Sequence, residues 1–265
     1  RKLCVLVLVL LYGGHTGLFA AHPVSKEFLL GYTEYEDCPH FVAIKKTHSS
    51  LLQGFNYLQK ETYNAFLEMY EAALEDGITL KITSAARNFK VQKYIWENAW
   101  KHSRLPEDRS RALGLLRYSS MPGVSRHHWG TEVDLCSTKP VFWESEEGRL
   151  AYDWLSTHAE EFGFFQPYSA KNDGRPGYDE ERWHWSYAPL ADIYTLSFKN
   201  MIGPEDIQGF EGAESAEEVD IINTYVLGIA PHPPIFQFSK ESGNALAMSS
   251  SHKSSVNKAT FFKQF

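Results

Sequence analysis

Apolar residues recur at helical spacing through Tyr63, Phe66, Leu67, Tyr70 and Leu74. That spacing predicts an amphipathic helix, and Gly77 supplies its stop. The period then changes. Ile78, Leu80 and Ile82 alternate with polar neighbours, so "ITLKITS" predicts a half-buried strand. "AARNFKVQKYIWENAW" turns back to helix. Residues 103–125, punctuated by Pro106, Pro122 and Gly123, predict a loop. Residues 131–136 predict a strand. Ala151, Trp154, Leu155, His158 and Phe162 then share one helical face, with Gly163 as the stop. "KNDGRPGYDE" is a turn-rich loop, and "RWHWSY" has strand composition. "SAEEVDIINTYV" predicts a helix whose Ser215 and Glu218 have capping-box spacing. Residues 22–50 show no clear period. Helices and short strands alternate without a regular βαβ rhythm, which places the chain in the α+β class.

The ends differ from the middle. Arg1 and Lys2 precede an apolar run from Leu3 to Tyr12, and small residues follow at Ala20 and Ala21. This is the layout of an export signal over residues 1–21; the alternative is a buried N-terminal element. The run is shorter than the roughly 20 apolar residues that span a bilayer. Residues 22–229 carry the globular pattern. Residues 230–265 are rich in Ser and Lys without periodicity and are expected to be poorly ordered. In 265 residues, 43% are hydrophobic and 22% charged, enough for one sizeable core. The formal net charge of -7 gives no basic face for nucleic acid. Removal of the signal would take Cys4 and leave Cys38 and Cys136, either as a disulfide in an oxidising compartment or as two buried thiols.

Candidate chemistry gathers in two segments. In "SRHHWGTEVDL", strand alternation sets Glu132, Asp134 and Cys136 on one face and Val133 and Leu135 on the other. Gly130 permits a tight bend that would bring His127 back towards Asp134. In "ERWHWSY", His184 and Ser186 share the face opposite Trp183, Trp185 and Tyr187. Two histidines, an aspartate and the nearby Glu181 form a plausible catalytic zinc set, with three ligands and one carboxylate to move a proton. Each motif alone is weak, since paired histidines are common in loops.

Together they resemble one family. Ser125-x-His127-x-x-Gly130-x-x-x-Asp134, followed by Glu181-x-Trp183-His184, looks like the signature of the VanY-like zinc D-alanyl-D-alanine carboxypeptidases. "SAARNFKVQ", with Ser84, Arg87 and Gln92, resembles a third family segment upstream. The resemblance covers roughly residues 50–190, and more loosely to about 229. It implies the hedgehog/DD-peptidase-like fold, a small antiparallel sheet with flanking helices. It further implies that His127, Asp134 and His184 bind one Zn2+ per chain. Glu181 would be general base and acid, and Arg87 would stabilise an oxyanion or hold the substrate carbonyl. Ser125 and Gln92 would hydrogen-bond the peptide's C-terminal end, and Trp183 would wall the cleft.

The implied substrate is the stem peptide of peptidoglycan, met outside the cytoplasm in a periplasm or cell wall. The implied reaction is loss of the terminal D-alanine. Rival readings are an L,D-carboxypeptidase, a D,D-dipeptidase or an endopeptidase of the same fold, or a zinc-stabilised binding module without turnover. Several residues keep two readings. His128 is the alternative ligand to His127, although the family register favours His127. Glu132, where a small residue is commoner, either orients a ligand histidine or is solvated. Cys136 reads as a disulfide partner or buried thiol rather than a ligand. His158 reads as a satisfied core histidine. Arg87 belongs either to the cleft or to a structural carboxylate.

Overall fold

A computed structural model describes residues 24–50 and 56–232. The expected export signal and the tail from residue 233 lie outside the described residues. The elements run in order as α1 (Lys26–Leu29), β1 (Phe41–Ala43), β2 (Tyr57–Gln59), α2 (Lys60–Glu75), β3 (Ile82–Ser84), α3 (Phe89–His102) and α4 (Asp108–Leu115). They continue with β4 (Glu132–Leu135), α5 (Glu146–His158), β5 (Phe164–Phe165), β6 (His184–Tyr187), α6 (Ala188–Met201) and α7 (Ser215–Glu218). The class is α+β, with small antiparallel sheets flanked by helices. β1 and β2 pair with each other, and the second sheet has the order β3-β4-β6-β5 with every pair antiparallel.

Alternation along β4 and β6 decides what each sheet face meets. Val133, Leu135 and Trp185 enter an apolar core with Ile82, Phe66 and Met69 of α2, and Ala151 and Leu155 of α5. A second core gathers α3, α4, α6 and the segment around α1 on Trp96, Trp129, Tyr194 and Phe198. Helix starts follow local chemistry. The Asn88 side chain accepts the Val91 N–H to cap α3, and the Ser145 side chain accepts the Gly148 N–H to cap α5.

Some expectations are corrected. The segment 103–125 read as loop contains α4, where only Ala112 is buried, so little apolar period marks it. The unpatterned segment 22–50 contributes α1 and β1. The "ITLKITS" strand is confined to Ile82–Ser84, although Leu80 and Ile82 are both fully buried as alternation requires. Ser215 is the first residue of α7, not its cap; Glu214 holds the cap position and makes no side-chain capping bond. Asp220, at φ 48°, breaks the expected long helix two residues after α7 ends, and a π-helical turn follows at Ile222–Val226. His158 is no core histidine: its side chain is 38% exposed and lies 3.0 Å from Glu161 Oε1. Cys38 and Cys136 are both free and pack against different cores. Cys136 has φ 58° and leaves the strand, placing Sγ near the Thr79 carbonyl rather than beside Asp134. No helix among the described residues is long and apolar enough to cross a membrane.

Candidate metal centre

The polar face of the β4–β6 pair, which carries Asp134 and Glu132, is buried. Register pairs Asp134 directly with His184, and Glu132 with Ser186. Cross-strand partners have Cβ atoms about 5 Å apart, and here Asp134 Oδ1 lies 3.1 Å from His184 Nδ1. His127 arrives from a 3-10 turn, Arg126–Trp129, that ends at Gly130 in the left-handed region with φ 69°. A Cβ at Gly130 would collide with the Phe41 ring, so the close return of this loop to β4 requires glycine. The turn sets His127 Nε2 3.4 Å from Asp134 Oδ1.

His127, Asp134 and His184 therefore each offer a ligand atom, all within 4.8 Å of one another and buried. The tautomers follow from the partners. His127 Nδ1 is 2.8 Å from the Ala85 carbonyl, which can only accept, so Nδ1 carries the proton. Its Nε2 lone pair then faces Asp134 and has no hydrogen-bond partner among the described residues. Burial and the Arg87 charge hold His127 below its ordinary pKa against the pull of Asp134. Two electron-rich atoms facing each other at this separation call for a cation between them. Two imidazoles with one carboxylate suit zinc.

His184 lies between carboxylates, with Nδ1 beside Asp134 and Nε2 2.9 Å from Glu132 Oε2. Burial opposes its charge, but the hydrogen bonds and charges of Asp134 and Glu132 prevail and lift it to about 9. Burial likewise opposes the charge on Asp134, yet both histidines draw it far below the usual carboxylate range. Glu132 is also buried, and the Arg126 charge with the His184 hydrogen bond brings it down to about 2. The solvated reading of Glu132 is thereby excluded.

His128 points away from the three ligand atoms. Its Nδ1 donates to the Arg87 carbonyl at 2.6 Å and its Nε2 accepts the Gly123 N–H at 3.0 Å. Full burial pushes it down to about 3, so it is a neutral tie between two loops.

Glu181 Oε2 lies 3.7 Å from His184 Nδ1. Its backbone is pinned on both sides. The N–H donates to the Tyr168 carbonyl, and its own carbonyl accepts from Gln166 Nε2 and the His184 N–H. Burial, reinforced by Asp134, raises the carboxyl to about 8 against the opposing charges of His184 and Arg87.

These groups open onto a cleft of about 510 Å³, also lined by Arg87, Gln92, Ser125 and Trp183. The Arg87 N–H donates to the His127 carbonyl, while its buried Nε has no partner among the described residues. Gln92 Nε2 is taken by the Ser120 carbonyl, leaving Oε1 buried and unpartnered among the described residues. Ser125 is buried immediately before the 3-10 turn. Trp183 joins the sheet core on one side and faces Tyr118 at 6.2 Å on the other.

Sequence reasoning missed Arg126, Tyr168 and Tyr178. Both tyrosines line the cleft, and the Tyr168 ring lies 4.7 Å from that of His184. No sequence signal marks Tyr168 in its loop. For Arg126 there was one: a glutamate in place of a small residue on a buried strand demands a cation nearby.

The family model for VanY, D-alanyl-D-alanine carboxypeptidase, matches residues 55–190, and the chain belongs to that family. A Bacillus subtilis (strain 168) relative, YodJ, which carries the name of a carboxypeptidase, is 29% identical over 133 residues. That match spans 49% of this chain and 46% of YodJ, so less than half of the relative is represented. Among solved structures, the LD-carboxypeptidase LdcB is 22% identical at TM-score 0.48, over 62% of this chain and 74% of that one. A mutant of the vancomycin-resistance D,D-pentapeptidase VanY, in complex with Zn(II), is 20% identical at TM-score 0.43, over 57% and 88%.

Proposed function

We propose that this chain is an exported zinc carboxypeptidase that hydrolyses the terminal D-alanine from peptidoglycan stem peptides. Family membership supports the reaction class, and the N-terminal pattern of the sequence supports export. The observation that carries the reading is the convergence of three buried donor atoms, one of them the unpartnered Nε2 of His127. His127 Nε2, Asp134 Oδ1 and His184 Nδ1 would hold the metal. Bound there, zinc supplies Lewis acidity, which polarises the scissile carbonyl and makes water more acidic.

The chain's own groups do the rest. Glu181 accepts a proton from the attacking water at its carboxylate and returns it to the leaving amine. Arg87 aims its guanidinium into the cleft, where it carries the charge that develops on the carbonyl oxygen. Gln92 Oε1 accepts an N–H of the substrate, and Ser125 adds a hydrogen bond at the peptide's C-terminal end. Trp183 and Tyr168 wall the reacting groups from bulk water.

Zinc content and turnover test the reading directly. Purified protein is expected to hold about one zinc and to shorten a defined pentapeptide muropeptide by one D-alanine, seen by mass spectrometry. A chelator is expected to abolish turnover, and zinc to restore it. Loss of a dipeptide, of a residue from a tetrapeptide, or of an internal bond would instead assign one of the rival specificities. Zinc without turnover on any wall peptide would assign a binding module.

Proton linkage gives a second check. At pH 7 His184, at about 9, is protonated, so Nδ1 must surrender a proton before it can act as a ligand. Zinc binding at pH 7 should release at least about one proton, and apparent affinity should rise with pH up to about 9. Calorimetry in buffers of different ionisation enthalpy measures this. Affinity independent of pH between 6 and 8 would contradict it.

A further inference from the structure

Glu132 stands where the family resemblance leads one to expect a small residue, and it is wholly buried. A carboxylate cut off from water must be paired and hydrogen-bonded. Its Oε1 accepts from Ser186 Oγ at 2.7 Å and Thr131 Oγ1 at 3.1 Å, and lies 3.3 Å from Arg126 Nη2. Its Oε2 meets His184 Nε2 at 2.9 Å.

Arg126 is itself held in place. Nη1 donates to Thr195 Oγ1 of α6 at 2.7 Å, and Nη2 donates to Ser186 Oγ at 2.9 Å. The guanidinium lies over the Trp129 ring at 4.8 Å. A continuous chain of short contacts thus runs from α6 through Arg126 and Glu132 to the back of one candidate ligand ring. The other ligand ring has a weaker support, the neutral Ala85 carbonyl behind His127.

Resting on the zinc reading above, we propose that Glu132, anchored by Arg126, is a positioning residue for His184. It keeps a proton on Nε2, and this leaves the Nδ1 lone pair directed at Asp134 and the metal. Glu132 is not among the cleft-lining residues; Arg126 borders the cleft and reaches His184 through Glu132. A carboxylate behind a ligand histidine also makes that ring a stronger donor. His184 is therefore the stronger of the two histidine ligands, and its orientation is set by groups further along the same buried sheet face.

The test measures zinc affinity, with no substrate present. Glu132→Ala should raise the zinc dissociation constant roughly 10- to 100-fold in competition with a chromogenic chelator. In protein labelled with 15N-histidine, the slowly exchanging Nε2–H of His184 should be lost from the spectrum of the zinc-loaded variant. Glu132→Ala strands a buried arginine, so the double variant R126M/E132A is measured in parallel. It should recover thermal stability without recovering zinc affinity. Zinc affinity unchanged in Glu132→Ala would overturn the proposal. So would recovery of affinity together with stability in the double variant, since Glu132 would then serve only to neutralise Arg126. A wild-type protein that takes up no zinc would overturn the reading of the metal centre itself, an outcome distinct from both.

Discussion

Glu181→Gln is expected to hold about one zinc and to lose turnover by roughly a thousandfold, the middle of the range for general acid–base catalysis. The side chain is nearly isosteric, so the cleft keeps its shape. The change removes the ability to accept a proton. The His184 N–H and Gln166 contacts to residue 181 use its backbone carbonyl and survive the substitution. Losses should therefore fall on kcat, with KM little altered. Metal analysis alongside steady-state kinetics on a defined muropeptide checks both halves. Near-normal kcat would remove Glu181 from its role. Zinc loss would mean that Glu181 is a ligand rather than the proton carrier.

His184→Ala should remove both zinc and turnover. Structural zinc sites bind with about 10–16 kcal/mol over four ligands, so one ligand is worth about 3 kcal/mol, more than a hundredfold in affinity. The substitution also strips Asp134 and Glu132 of a shared partner inside a buried sheet face. Breaking such a pair costs about 3–5 kcal/mol of stability, so a thermal melt should accompany the zinc measurement. His127→Ala leaves the Glu132–His184 contact intact and should lose zinc with a smaller fall in melting temperature. If either variant retained full zinc occupancy, the proposed ligand set would be wrong.

The parts of the molecule legible in the sequence are those where a local rule and the tertiary outcome coincide. Alternation at Val133 and Leu135 against Glu132 and Asp134 marks β4, and the same period marks β6. The family resemblance implied His127, Asp134 and His184 as ligands, and the fold brings their donor atoms together. Local pattern was silent where the stabilising contacts are distant. α4 buries only Ala112 and relies on surface pairs such as Arg109 with Glu218 and Arg111 with Asp108. α6, with Leu190, Ala191, Tyr194 and Phe198 buried, had a readable helical spacing and a proline in its first turn. The burial of Arg126 depends on Ser186 and Thr195, far along the chain, and no window around residue 126 contains them. The family register favoured His127 over His128; in the fold the two rings leave one turn in different directions, and His127 is the one grouped with Asp134 and His184.

The pairing of Asp134 with His184 across two neighbouring strands bears on how such a protein can diverge. Backbone ladder bonds set that alignment, so the chain between the strands is free to change length without moving the ligands. Tyr168 and Tyr178, which border the cleft, ride on this connection. Insertions and deletions there would reshape what the cleft accepts while the chemistry stays where it is. A lineage could thus vary what the cleft admits through this one segment, with the candidate ligands inherited unchanged.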